Sequence, residues 1–185
     1  CDVYVIIYKN KCKHLHTGHL SGIGQAASVE NKNQEQEGEH FMYEVKGNVI
    51  VGQSGGPTAV INSSLVGVYK TARDRGARKI YGMLHGVQGL LEERVVDLSK
   101  HIANDLDIEL LKRTPSAYLG SCRYKLPNIS ENQEPYIRIF EILKKLDIEY
   151  FFYIGGNDSM DTIKKLSDYA ILTDSKIRVM GVPKT

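Results

Sequence analysis

Five consecutive residues, Tyr150-Phe151-Phe152-Tyr153-Ile154, are apolar without interruption, and two glycines follow them directly. A strand with one wet face alternates apolar and polar residues, so an unbroken run describes a strand covered on both faces. Gly155-Gly156 ends that strand. Asn157 or Asp158 then stands where a cap is needed for a helix whose Met160, Ile163, Leu166 and Ala170 form an inward stripe. The same order occurs earlier. Val49 to Val51 reads as a short buried strand, Gly52 to Pro57 as a turn, and the apolar stretch to Ala72 as a helix. Lys79 to Met83 can form a second strand, with Gly82 and Gly86 as punctuation at and beyond its end. From Gln133 to Leu146, Tyr136, Ile139, Phe140, Leu143 and Leu146 recur at helical spacing, with Ser130 or Asn132 as the expected cap. Ile177 to Val182 is the last strand. Strand, glycine-rich turn, helix and strand in alternation predict an α/β fold with a mostly parallel sheet and helices on both faces.

In such sheets ligands bind at the carboxyl ends of the strands, where each of these glycine-rich turns falls. Ser54-Gly55-Gly56-Pro57-Thr58 lets backbone approach a phosphate closely, and the helix after it offers unpaired N–H groups. No Gly-Lys-Ser/Thr follows, so it is not a Walker A loop. Gly155-Gly156-Asn157-Asp158-Ser159 adds an amide and a carboxylate able to hold Mg²⁺ directly or through water. Leu119-Gly120-Ser121-Cys122-Arg123 places a guanidinium just after a turn, suited to a phosphoryl oxygen. Gly181-Val182-Pro183-Lys184-Thr185 ends the last strand with a lysine and a hydroxyl. Each turn also has a plain reading, as a tight turn, a helix cap or a solvated side chain.

Taken together and in this order, the turns resemble the phosphofructokinase family. Its members show a strand-ending Gly-Gly turn, a Gly-Ser-x-Arg turn, a Gly-Gly-Asp-x-Ser turn and a Pro-x-Thr-Ile-Asp-Asn-Asp loop. The resemblance spans Gly47 to Thr185. It implies a Rossmann-like domain that binds the phosphoryl donor, with transfer to the 1-hydroxyl of fructose 6-phosphate. By position, Gly56, Gly155, Gly156 and Ser159 would hold the donor phosphates and Arg123 the moving phosphoryl group. Asn157 falls where many relatives carry a magnesium-binding Asp. Thr185 matches the residue that contacts the sugar phosphate, and the expected base would lie two residues beyond it. Members that use ATP generally have glycine at the positions of Asp158 and Lys184, whereas diphosphate-dependent members resemble this chain. A carboxylate where the α-phosphate of ATP would sit fills the space and repels it, and a lysine can steady the smaller donor. Diphosphate with Mg²⁺ is therefore expected, with an ATP-dependent enzyme or a noncatalytic nucleotide- or metal-binding module as alternatives.

Composition narrows the partners. Across 185 residues the net charge of +2 is nearly neutral and the basic residues are scattered, which points away from nucleic acid. Three cysteines at irregular spacing, Cys1, Cys12 and Cys122, do not read as a disulfide framework and fit a reducing, cytoplasmic setting. The early apolar run Val3 to Tyr8 is too short to span a membrane. A homo-oligomer is expected for the full-length protein.

Residues 1 to 46 lack this periodicity. Cys12, His14, His16 and His19 could hold zinc, but their spacing matches no standard module. His16-Thr17-Gly18-His19 and the dinucleotide-like Gly22-Ile23-Gly24-Gln25-Ala26-Ala27 both lack a leading strand. Glu37-Gly38-Glu39 ahead of Met42 suggests a translated ribosome-binding sequence. The expected division is a leader at 1–41 and a partial donor-binding domain at 42–185, ending at the catalytic loop.

Overall fold

The computed structural model describes residues 6–7 and 45–184. The cysteine and histidine candidates of the first segment, Met42, Thr185 and all of the proposed leader except Ile6–Ile7 lie outside the described residues. Within them the order is β1 (Ile6–Ile7), β2 (Asn48–Gln53), α1 (Ile61–Asp74), β3 (Ile80–Met83), α2 (Gly86–Leu91) and β4 (Val95–Asp97). A short 3₁₀ turn (Leu98–Lys100) follows, then α3 (Asp105–Arg113), α4 (Glu134–Lys145), β5 (Ile148–Gly155), α5 (Asn157–Leu172) and β6 (Arg178–Pro183).

The strands form one sheet in the order β1-β6-β5-β2-β3-β4. The central pairs β6–β5, β5–β2 and β2–β3 are parallel, and the flanking β1 and β4 run antiparallel to their neighbours. This is the expected α/β architecture. Side-chain alternation divides β5 between two cores. Phe151 and Tyr153 pack with Tyr136, Ile139 and Leu143 of α4 and Ile163 and Leu166 of α5. Ile154 joins Val49, Val51 and the buried faces of α1 and α3 on the opposite side. Tyr150 and Phe152, on that second face, remain half-buried.

Three local expectations need correction. Gly52 belongs to β2 rather than to the turn, because β2 is paired on both edges through this residue. The absence of a side chain there also admits Met83 and the Tyr153 ring, which a Cβ would strike. Neither Asn157 nor Asp158 caps α5: the N-cap is Gly156 and no side chain caps it. The helix begins a residue earlier than a cap at either position allows, so both side chains stand in its first turn. At α4 the cap position is Gln133, while the Asn132 side chain accepts from the Glu134 N–H at 2.9 Å. Pro135 within that first turn fits the helix start, where a missing N–H loses nothing.

Candidate active site

The crossover topology brings the carboxyl ends of β2, β5 and β6 side by side, and their turns line one cavity of about 400 Å³. Gly56 comes from the first turn and Arg123 from the loop after α3. Gly156, Asn157, Asp158 and Ser159 come from the start of α5, and Lys184 from the end of β6. Hydrogen bonds set the spacing. The Ser54 N–H donates to Ile154 O at 2.8 Å, the Gly55 N–H to Cys122 O at 3.2 Å and the Lys184 N–H to Gly155 O at 3.0 Å. The Ser121 hydroxyl bonds the Gly55 carbonyl from the other side.

The glycines at the site divide into two kinds. Gly55 has φ +76°, a left-handed conformation that a side chain disfavours. Gly155 is buried beneath the cavity, where a Cβ would collide with the Ser159 hydroxyl. Gly56 and Gly156 need neither conformation nor packing space, because a Cβ on either would meet nothing within 4 Å. Both residues line the cavity, so open space stands against their backbone. A ligand that comes against the backbone is what these two positions leave room for.

The charge of the cavity is favourable to an anion. Neither the Arg123 guanidinium nor the Lys184 ammonium has a hydrogen-bond or ion-pair partner among the described residues. The start of α5, which lacks a capping side chain, directs its N–H groups and the positive end of its dipole at the same space. Asp158 is the one carboxylate lining the cavity among the described residues.

A buried amide pair holds the arginine loop in place. Gln53 Nε2 donates to Ile61 O at 3.2 Å and to Asn62 Oδ1 at 2.9 Å, and Gln53 Oε1 accepts from the Leu119 N–H at 2.9 Å. Asn62 Oδ1 also accepts from the Tyr118 N–H at 3.0 Å, while its Nδ2 donates to Thr114 O at 2.8 Å. The segment leading to Arg123 is thereby tied to the first turn and to α1. Behind the cavity wall the Tyr153 hydroxyl lies 3.4 Å from Cys122 Sγ and accepts from the Val87 N–H at 3.3 Å. Burial there pushes the phenol far above its usual range, so it stays protonated.

Ser54 and Gly55 line the cavity as part of the first glycine-rich turn, and Cys122 and Tyr124, to which sequence reasoning gave no role, line it as well. Lys125 was missed as well. Its ammonium lies 3.6 Å from an Asp158 carboxylate oxygen. The only available signal was a second cation two residues after Arg123.

Fold and site together define an α/β domain with a cationic cavity at the carboxyl ends of its parallel strands. The phosphofructokinase family profile matches residues 48–185. The pyrophosphate–fructose 6-phosphate 1-phosphotransferase of Rhodospirillum rubrum is 45% identical over 141 residues, which are 76% of this chain and 33% of that protein. Its counterpart in Xanthomonas campestris is 42% identical, over 75% of this chain and 32% of that one. The crystal structure of the pyrophosphate-dependent phosphofructokinase from Nitrosospira multiformis superposes with a TM-score of 0.67 at 41% identity, over 75% of this chain and 33% of that one. The chain thus belongs to the phosphofructokinase family. It spans about a third of the length of these relatives.

Proposed function

We propose that the chain supplies the donor-binding part of a diphosphate-dependent 6-phosphofructokinase. The reaction moves a phosphoryl group from diphosphate to the 1-hydroxyl of fructose 6-phosphate, giving fructose 1,6-bisphosphate and orthophosphate. The observation that carries this reading is the convergence on one cavity of Gly56, Gly156, Arg123 and Lys184, two open glycines and two unpaired cations. Phosphoryl transfer asks a protein mainly for positioning and for positive charge around the donor. Arg123 would hold the transferred group and Lys184 the leaving phosphate, with the N–H groups of Asn157 and Asp158 on the remaining oxygens. Ser159 is assigned to the donor phosphates as well, and Gly155 serves from below by keeping its turn tight.

Asp158 is assigned the exclusion of ATP, by bulk and by charge. Mg²⁺ fits this cavity, since an ion held mainly by donor phosphates takes only one or two protein oxygens, which Asn157 and Asp158 can offer. When bound it would offset the charge of the donor. The hydroxyl proton needs a carboxylate acceptor. Asp158 is committed to the donor side, so the acceptor is assigned to the family loop that begins at Thr185. Thr185 itself is assigned to the sugar phosphate. A cytoplasmic setting and a homo-oligomer in the full-length protein complete the reading. No helix among the described residues is long and apolar enough to cross a membrane.

Calorimetric titration of the 185-residue chain with inorganic diphosphate and with ATP, each with Mg²⁺, tests the assignment. Diphosphate should bind and ATP should bind more weakly. The chain alone should form no fructose 1,6-bisphosphate. A folded chain that ignores diphosphate, or prefers ATP, would overturn the reading.

A further inference from the structure

The Asp158 carboxylate poses a difficulty for any anion site. It lines the cavity that is to receive a highly charged diphosphate, and at close range two anions in that space repel. The structure pairs it with Lys125 at 3.6 Å. Both side chains are largely exposed, Lys125 at 76% and Asp158 at 80%, so water and salt screen the pair and a stronger anion can open it. An ion pair of this kind is a weak latch.

The backbone around Lys125 is not free to wander. Upstream, Cys122 O is held by the Gly55 N–H and the Ser54 hydroxyl, the latter at 3.3 Å. Downstream, Leu126 is buried and its carbonyl accepts from Lys165 Nζ at 3.0 Å. Lys165 is in turn held by Asp161 at 2.8 Å on the same helix. The loop is thus pinned to the first turn at one end and to α5 at the other, with Arg123 and Tyr124 on the cavity wall between them. Lys125 follows directly in the chain, and its long side chain already reaches Asp158 of the cavity lining.

Resting on the donor-site assignment, we propose that Lys125 is a third donor-binding cation, held by Asp158 until diphosphate displaces the carboxylate. The ammonium then transfers from the carboxylate to a phosphate oxygen of the donor. The charge balance supports this. Arg123, Lys184 and Lys125 against Asp158 leave the site at +2, whereas loss of Lys125 would leave +1 beside a polyanion. The pairing also makes Asp158 a competitor of diphosphate for the same ammonium, so the carboxylate weakens donor binding both by repulsion and by holding the cation back.

The test uses the 185-residue chain, titrated with inorganic diphosphate in Mg²⁺-free buffer at two or more salt concentrations, so that Asp158 acts only on Lys125 and the donor. Thermal melting should be unchanged by substitution at these exposed positions. Lys125→Met should weaken binding about 10-fold and flatten its salt dependence, and Lys125→Arg should restore most of it. Asp158→Asn, which frees the lysine, should tighten binding. In the Asp158→Asn background Lys125→Met should still cost about 10-fold, because the contact is with the donor itself. Unchanged affinity in Lys125→Met overturns the proposal. So does a loss that disappears in the Asp158→Asn background, since Lys125 would then only screen the carboxylate. Wild-type chain that binds no diphosphate at all rejects the donor-site assignment instead, and the Lys125 role falls with it.

Discussion

The Lys184 N–H donates to the Gly155 carbonyl across 3.0 Å, closing the last parallel pair of β5 and β6, Gly155 with Pro183. This one bond sets the lysine beside the turn that carries Asp158, and both line the same cavity. Their roles in donor choice can therefore be read together. In the full-length protein, Asp158→Gly with Lys184→Gly should move the preference from diphosphate toward ATP, seen as a fall in the ratio of kcat/KM for the two donors. An unchanged ratio would remove both residues from donor selection.

The glycines should separate by stability and binding. Gly56→Ala and Gly156→Ala should leave the fold intact, or stabilise it by about 0.5 kcal/mol through the unfolded chain. Each should nevertheless weaken diphosphate binding about 10-fold, because the methyl enters the donor space. Gly155→Ala should instead destabilise the chain, since its methyl meets the Ser159 hydroxyl. Urea melts beside calorimetry would show the contrast, and a destabilised Gly156→Ala would contradict it.

Asn62 is fully buried and completes its hydrogen bonds with Gln53, Thr114 and Tyr118. Asn62→Ala takes a partner from the buried Gln53 Nε2, which keeps Ile61 O, and from the part-buried Thr114 carbonyl and Tyr118 N–H, and should cost about 2 kcal/mol of stability. Diphosphate affinity should fall as well, as the loop reaching Arg123 loosens. Equal urea midpoints for variant and parent would show that water replaces the amide without loss.

Glu93 anchors the turn before β4 to α4 through Lys145 at 2.5 Å and Arg138 at 2.6 Å. The hydrogen bond and charge of Lys145, then Arg138, hold its carboxyl below the ordinary 4.5. A carboxylate lowered in the folded state adds stability above the unfolded value and loses it as pH falls through the folded one. Glu93→Gln should therefore melt below the parent at pH 7, and the gap should close on acidification below about 4.5. A gap that persists at the lowest pH would assign the effect to packing.

Local order was legible where periodicity is strong. The unbroken run at β5 and the stripes of α4 and α5 depend on neighbours a few residues away, so their burial pattern is written directly into the chain. The short elements were not read. Helix α2 is six residues with two glycines and follows His85 in a left-handed conformation, and β4 is a three-residue edge strand. Helix α3 carried a usable signal in the capping box of Asn104 and Asp107.

The alternating α/β pattern, the turns at the strand ends and the residue types available there follow from the chain alone, because they depend on local propensity and patterning. Which of them meet is set by long-range packing. Gly155 and Gly156 are neighbours in the chain, yet one is buried under Ser159 and the other opens on the cavity. Asn157 and Asp158 could each have been helix caps, but the cap fell at Gly156 and placed both in the first turn of α5. Arg123 shares a cavity with Gly56, and Lys125 reaches Asp158, through parallel strand pairing and a buried amide network. Those contacts join residues far apart in the chain, so no local pattern encodes them.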